Sequence, residues 1–267
     1  MGEVRTALGD RVVFDRYGPE SAPAVIFVAG AGLARAGDEV TSDTARRIGE
    51  AGFQAIVHDR VGRGDSAAPG PISLERELEA IRALAQHLDV PLVLVGHSSG
   101  CAIVIEAAPS IGRLTGLVLW EAPFGQFDGG AAAWWERVEG DIDAGRLEDA
   151  VAAYMVDMPP GWIEYLKGSP EYPAFILSWI PDGSALALVE SRGLASSLRD
   201  IMAPVLAVYG TESFPGMARA AVDIAAAAPR GSHEQVRGAG HTWDSEAMAA
   251  RLVQLLATSE HASRGPE

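Results

Sequence analysis

The sequence predicts an α/β fold with a mostly parallel central sheet and an inserted helical cap, and two observations carry that expectation. Short β-branched runs alternate with Ala-rich segments of helical period along most of the chain, as βαβ units require. The rhythm lapses between about Phe124 and Ser196, which offers no convincing strand and reads as helices interrupted by Pro159, Pro160, Pro170, Pro173 and Pro181.

In chain order, the expected strands are Arg11 to Asp15, Ala24 to Val28, Gln54 to His58, Leu92 to Val95, Leu117 to Trp120, Val205 to Tyr209 and Ser232 to Val236. Several are apolar throughout, as in Ala24-Val25-Ile26-Phe27-Val28, which suits strands covered on both faces. Helices are expected between them at Asp43 to Ala51, Leu74 to His87, Ser99 to Ala107, Met217 to Ala227 and Ser245 to Ala257. The insert at 124–196 divides one core made of 1–123 and 197–267, and 267 residues suffice for one such large domain. The polar tail His261 to Glu267 is expected to fray.

Composition excludes several functions. The 21 Lys and Arg against 36 Asp and Glu leave a net charge of −15, which repels nucleic acid and anionic lipid. Glu3, Arg5, Asp10, Arg11 and Asp15 interrupt any secretory signal at the N-terminus, and no charge-free run reaches membrane-spanning length, so a soluble, cytoplasmic protein is expected. Cys101 is the only cysteine, which rules out an internal disulfide and a cysteine metal cluster; it reads as a packed helix residue. The six histidines form no zinc-protease pattern, and Gly30-Ala31-Gly32 lacks the third glycine of a dinucleotide fingerprint. No metal or organic cofactor is expected.

The chemistry concentrates where Leu92-Val93-Leu94-Val95 runs into Gly96-His97-Ser98-Ser99-Gly100 and then into the apolar segment Cys101 to Ile105. A G-x-S-x-G sequence between strand and helix needs its glycines because the turn is too tight for side chains, and it presents the serine Oγ at the positive end of the helix. Ser98 is therefore the candidate nucleophile. A serine hydroxyl needs a base of suitable pKa to take its proton. His241, in Gly238-Ala239-Gly240-His241 between the last strand and the terminal helix, is that candidate. His97 and His58 are expected to be structural.

With these landmarks the chain resembles the α/β-hydrolase superfamily over essentially its whole length, and Asp59-Arg60-Val61-Gly62-Arg63-Gly64-Asp65-Ser66 resembles that family's D-x-x-G-x-G-x-S loop. The resemblance implies that the histidine at position 241 is the catalytic one. It also implies an acid three residues beyond the glycine ending the next-to-last strand, but Ser213 stands there in Gly210-Thr211-Glu212-Ser213. Glu121, in the turn Trp120-Glu121-Ala122-Pro123, resembles the acid that haloalkane dehalogenases and zearalenone-type lactone hydrolases carry after the preceding strand. Glu121 is favoured over Glu212, because an acidic group ending a buried strand needs a partner. For the oxyanion hole, the resemblance implies the backbone N–H of Ser99 and a second from the loop Ala29-Gly30-Ala31-Gly32, with Ala31 the first choice and Gly30 next; Ala29 replaces the family's usual histidine.

Three readings follow. The first is a serine hydrolase cleaving an ester or lactone of a small, apolar, aromatic compound through an acyl-enzyme, with Trp134, Trp135, Trp162 and Trp179 of the insert either covering the pocket or gluing the cap to the main domain. The second is transfer of an acyl group from a carrier-protein thioester to an acceptor in natural-product biosynthesis, with Arg60 and Arg63 as the docking patch for an acidic carrier or as ordinary loop ion-pair partners. The third is a non-catalytic small-molecule receptor.

Overall fold

The computed structural model describes residues 1–32, 34–125, 130–156, 160–168 and 172–264. Pro159, Pro170, the side chain of Trp162 and the last three residues of the expected frayed tail lie outside the described residues. Among the described residues, nine strands form a single sheet: β1 (Gly2–Arg5), β2 (Arg11–Tyr17), β3 (Ala24–Val28), β4 (Gln54–His58), β5 (Leu92–His97), β6 (Leu114–Trp120), β7 (Val205–Glu212), β8 (Gly231–Ala239) and β9 (Thr242–Trp243). Their spatial order is β1-β2-β4-β3-β5-β6-β7-β8-β9, with β3 to β8 parallel and β1, β2 and β9 antiparallel to their neighbours.

The helices outside the insert are α1 (Glu39–Glu50), α2 (Leu74–Leu88) and α3 (Gly100–Ala107) before it. Between β6 and β7 run α4 (Ala131–Asp143), α5 (Leu147–Tyr154), α6 (Pro160–Lys167), α7 (Tyr172–Leu177), α8 (Ile180–Arg192) and α9 (Leu194–Leu198). The chain closes with α10 (Met217–Ala227) and α11 (Ser245–Arg264). Period-two alternation sorts the central strands onto two cores. Val25 and Phe27 face Ile48 of α1 and Leu252 of α11, whereas Ile26 and Val28 join Ile81 of α2, Ile103 of α3 and Ile224 of α10. A third apolar cluster, including Val138, Val151, Ile176 and Trp179, lies within the insert.

Two strands went unforeseen. β1 is a four-residue edge with Val4 alone buried, and β9 has two residues, so neither carries an apolar run. α1 starts earlier than expected because the Asp38 side chain accepts the Thr41 N–H at 3.0 Å and caps it. α11 continues to Arg264, past the expected end at Ala257. Pro181 interrupts nothing: it sits in the first turn of α8, where a missing N–H is harmless.

Candidate active site

The elbow has the geometry its glycines dictate. Ser98 sits at φ 54°, in the left-handed region, with its N–H donating to Trp120 O at 2.9 Å. A Cβ on Gly96 would meet Cys101 Cα at 2.6 Å, and one on Gly100 would meet Val28 O at 2.5 Å, so neither position has room for a side chain. Cys101 is fully buried, and burial pushes its thiol up, consistent with a packing role.

Glu121 and His241 share the unusual conformation, at φ 44° and φ 70°. Non-glycine residues in that region cost of order 1–3 kcal/mol each and persist only where the surroundings hold them. Glu121 N–H is held by Val208 O at 2.8 Å. The His241 carbonyl accepts from His97 Nε2 at 2.8 Å and from Trp120 Nε1 at 3.3 Å. A carbonyl can only accept, so His97 carries its proton on Nε2. Burial and the neighbouring His241 hold the His97 pKa down to about 4.

These backbone turns bring together two side chains 120 residues apart: His241 Nδ1 lies 2.5 Å from Glu121 Oε2. A carboxylate accepts, so Nδ1 donates and the neutral ring keeps its lone pair on Nε2. Glu121 Oε1 accepts from Gly210 N–H at 3.0 Å and from the Ser213 hydroxyl. Burial pushes the Glu121 carboxyl up, but the hydrogen bonds from His241, Ser213 and Gly210 outweigh it and hold the pKa below its ordinary value. Glu212, the other acid weighed, is exposed.

The glycine loop lies against the elbow. A Cβ on Gly30 would stand 2.8 Å from His97 O and 3.0 Å from Ser98 Cβ. Ala31 N–H donates to Ser99 Oγ at 3.1 Å, and Ser99 O–H donates to Asp182 Oδ1 at 2.8 Å. Asp182, on α8, had no signal in the sequence beyond an acidic residue in a first helical turn.

Burial and ion pairing favour the ion-pair reading of Arg60 and Arg63 over the docking patch, and burial removes Trp135 and Trp179 from an open pocket. Arg60 and Arg63 are 1% and 3% exposed, so they form no docking patch for a carrier protein. They lie under the insert, paired to Asp182 at 2.8 and 3.2 Å, with Glu77 3.3 Å from Arg60. Burial and the adjacent Arg60 charge pull Arg63 down to about 10, and burial pushes Glu77 up. Trp179 and Trp135 are 0% and 5% exposed and belong to the insert's own core, so they do not wall an open pocket. Trp135 packs so closely on Gly183 that a Cβ there would fall 1.9 Å from its ring. Trp134 is half-buried, with Nε1 donating to Ala153 O at 3.0 Å, and its ring lies 5.3 Å from that of Tyr154. Tyr154, which no motif marked, is half-buried and stacks on Trp179 with ring centroids 4.5 Å apart.

The chain belongs to the alpha/beta hydrolase family, whose sequence model matches residues 25–255. An alpha/beta hydrolase from Sphaerobacter thermophilus is 27% identical, with a TM-score of 0.76 over 95% of this chain and 99% of that one. An esterase from Exiguobacterium antarcticum is 18% identical, with a TM-score of 0.68 over 96% of this chain and all (100%) of its own. An esterase from a Rhodococcus species is 21% identical, with a TM-score of 0.63 over 96% of this chain and 98% of its own. These last two likenesses speak for the fold. No curated protein matches the sequence. Among the described residues no helix is long and apolar enough to cross a membrane.

Proposed function

We propose that this chain is a serine hydrolase cleaving an ester or lactone of a small acyl compound, with Ser98 as nucleophile, His241 as base and Glu121 as the acid that orients it. The observations that carry the reading are the 2.5 Å contact of His241 Nδ1 with Glu121 Oε2 and a left-handed Ser98 at a G-x-S-x-G elbow. Ser98 Oγ bonds to the substrate carbonyl carbon as its proton passes to His241 Nε2, and the C=O electron pair moves onto oxygen. Ser99 and Ala31 N–H groups, with Gly30 bringing the loop close, receive that oxyanion. Collapse expels the alkoxide, which takes the proton from His241; water, activated by the same ring, then releases the acid.

The use of Glu121 in this role resembles zearalenone-type lactone hydrolases, which keep their acid after the same strand. The aromatic character first expected of the substrate rested on the insert's tryptophans. The burial of Trp135 and Trp179 removes two of those supports, and the acyl-transfer reading loses its docking patch with the burial of Arg60 and Arg63.

Intact-protein mass spectrometry after mixing with aryl esters and aryl thioesters, carrier-protein thioesters included, tests the proposal, with Ser98→Ala as control. An acyl adduct on Ser98 that decays in buffer is the expected result. An adduct that persists until a thiol or alcohol accepts the acyl group would replace hydrolysis with transfer. Failure of every donor to label the protein would favour a receptor.

A further inference from the structure

Ser99 occupies the N-cap of α3, yet its hydroxyl makes no capping bond to that helix. It is turned to the glycine loop instead, accepting the Ala31 N–H at 3.1 Å and donating to Asp182 Oδ1 at 2.8 Å. A carboxylate only accepts, so the hydroxyl proton is committed to Asp182 and a lone pair faces Ala31. Asp182 is fully buried and Ser99 nearly so. The loop is pressed onto the same oxygen, since a Cβ on Gly30 would stand 3.0 Å from Ser99 Oγ.

The Ala31 N–H is not free to swing elsewhere. The C=O of Gly30 and the N–H of Ala31 belong to one planar trans peptide and point in opposite directions. Arg60 Nη1 donates to Gly30 O at 3.2 Å, and Arg63 Nη1 donates to the same oxygen at 2.6 Å. Both guanidiniums are in turn anchored on the Asp182 carboxylate, at 2.8 and 3.2 Å. With its carbonyl end held by two buried arginines, the peptide keeps its N–H on Ser99 Oγ. One N–H carries one proton, so an oxyanion can take this donor only by displacing the Ser99 hydroxyl.

We propose that the Ser99 hydroxyl is an autoinhibitory contact: it holds the Ala31 N–H in the resting enzyme and must turn away before that N–H can bind the oxyanion. The inference rests on the serine-hydrolase reading and adds a role for a side chain whose backbone N–H alone was expected to matter. An oxyanion is a stronger acceptor than a neutral hydroxyl, so the exchange goes forward in the tetrahedral state. The bond that Ser99 gives up then counts against the chemical step, because it is intact in the ground state and broken in the transition state. Asp182 keeps both arginine partners when the hydroxyl leaves, so no buried carboxylate is stranded. Ser99→Ala removes the competitor, keeps the backbone N–H of residue 99 and breaks no helix cap.

The test compares wild type and Ser99→Ala for p-nitrophenyl acetate turnover and for inhibition by phenylboronic acid, which adds to Ser98 as an anionic tetrahedral adduct. Removing one competing hydrogen bond should raise kcat roughly two- to tenfold and tighten boronate binding by a similar factor. A side chain that merely supported the site would give the opposite sign, because its loss loosens the loop and lowers both values. Either value unchanged or lowered would overturn the proposal. Should Ser99→Ala not fold, the wild type decides by NMR of isotope-labelled protein. The Ala31 amide proton should move downfield as phenylboronic acid adds, because it exchanges a neutral acceptor for an anionic one. A resonance that stays in place would overturn the proposal as well. Absence of a tetrahedral boronate signal on wild-type protein would instead bring down the serine reading itself, and is seen without any variant.

Discussion

His241 Nδ1 donates to Glu121 Oε2 at 2.5 Å, and the same carboxylate receives the hydroxyl of Ser213. Ser213, just beyond the end of β7, is thus a hydrogen-bond donor to a carboxylate at the end of the neighbouring strand. β6 and β7 are adjacent and parallel, so either strand end can reach the same imidazole.

Glu121→Gln should therefore fold and lose activity by roughly 10³ to 10⁴ in kcat, since an amide neither holds the imidazole tautomer nor stabilises its charged form. Glu212→Gln, at an exposed position, should leave kcat unchanged. Steady-state turnover of an aryl ester checks both, and the opposite pattern would return the acid to β7.

Gly30→Ala tests the approach of the loop to the elbow. The added methyl would meet His97 O at 2.8 Å and Ser98 Cβ at 3.0 Å, and the backbone must move away. A displacement of that size should lower kcat/KM by about 10². Turnover measured beside thermal unfolding separates this from a loss of fold; full activity would show that the loop need not lie so close.

Trp179→Ala should act on stability. The indole is fully buried in the insert, stacked on Tyr154 at 4.5 Å, and its removal should cost about 3–5 kcal/mol in urea unfolding. A changed KM with unchanged stability would put this residue in a substrate pocket after all.

Acid should destabilise the fold through His58 and His97. Burial, with the charges of Arg60 and Arg63, lowers His58 from 6.5 to about 3, and His97 falls to about 4. Below pH 6.5 the unfolded chain binds protons at these rings and the folded chain does not, so stability falls as pH drops toward 4. Each ring adds at most about 1.4 kcal/mol per pH unit to that slope. Unfolding free energies of wild type and His58→Leu across this range should differ in slope by one histidine's share, whatever the variant's stability at neutral pH. Parallel curves would mean that His58 is already protonated in the fold.

The fold class was legible because buried parallel strands announce themselves as apolar runs such as Ala24 to Val28, and the elbow because a turn that tight admits only Gly96 and Gly100 around Ser98. His241 stood out as the candidate base from its place after the long strand β8 and ahead of the last helix. Charge and burial were not. Arg60, Arg63 and Asp182 look like surface residues in a linear text, and Trp179 looks as suited to a pocket as to a core, since side-chain chemistry alone does not say which neighbour arrives from a distant segment. The sequence by itself determined the parallel sheet, the insert and the identities of the candidate nucleophile and base, all of which depend on local pattern. Only the tertiary structure joined Glu121 to His241 and Ser99 to Asp182, because each contact spans 83 residues or more of intervening chain.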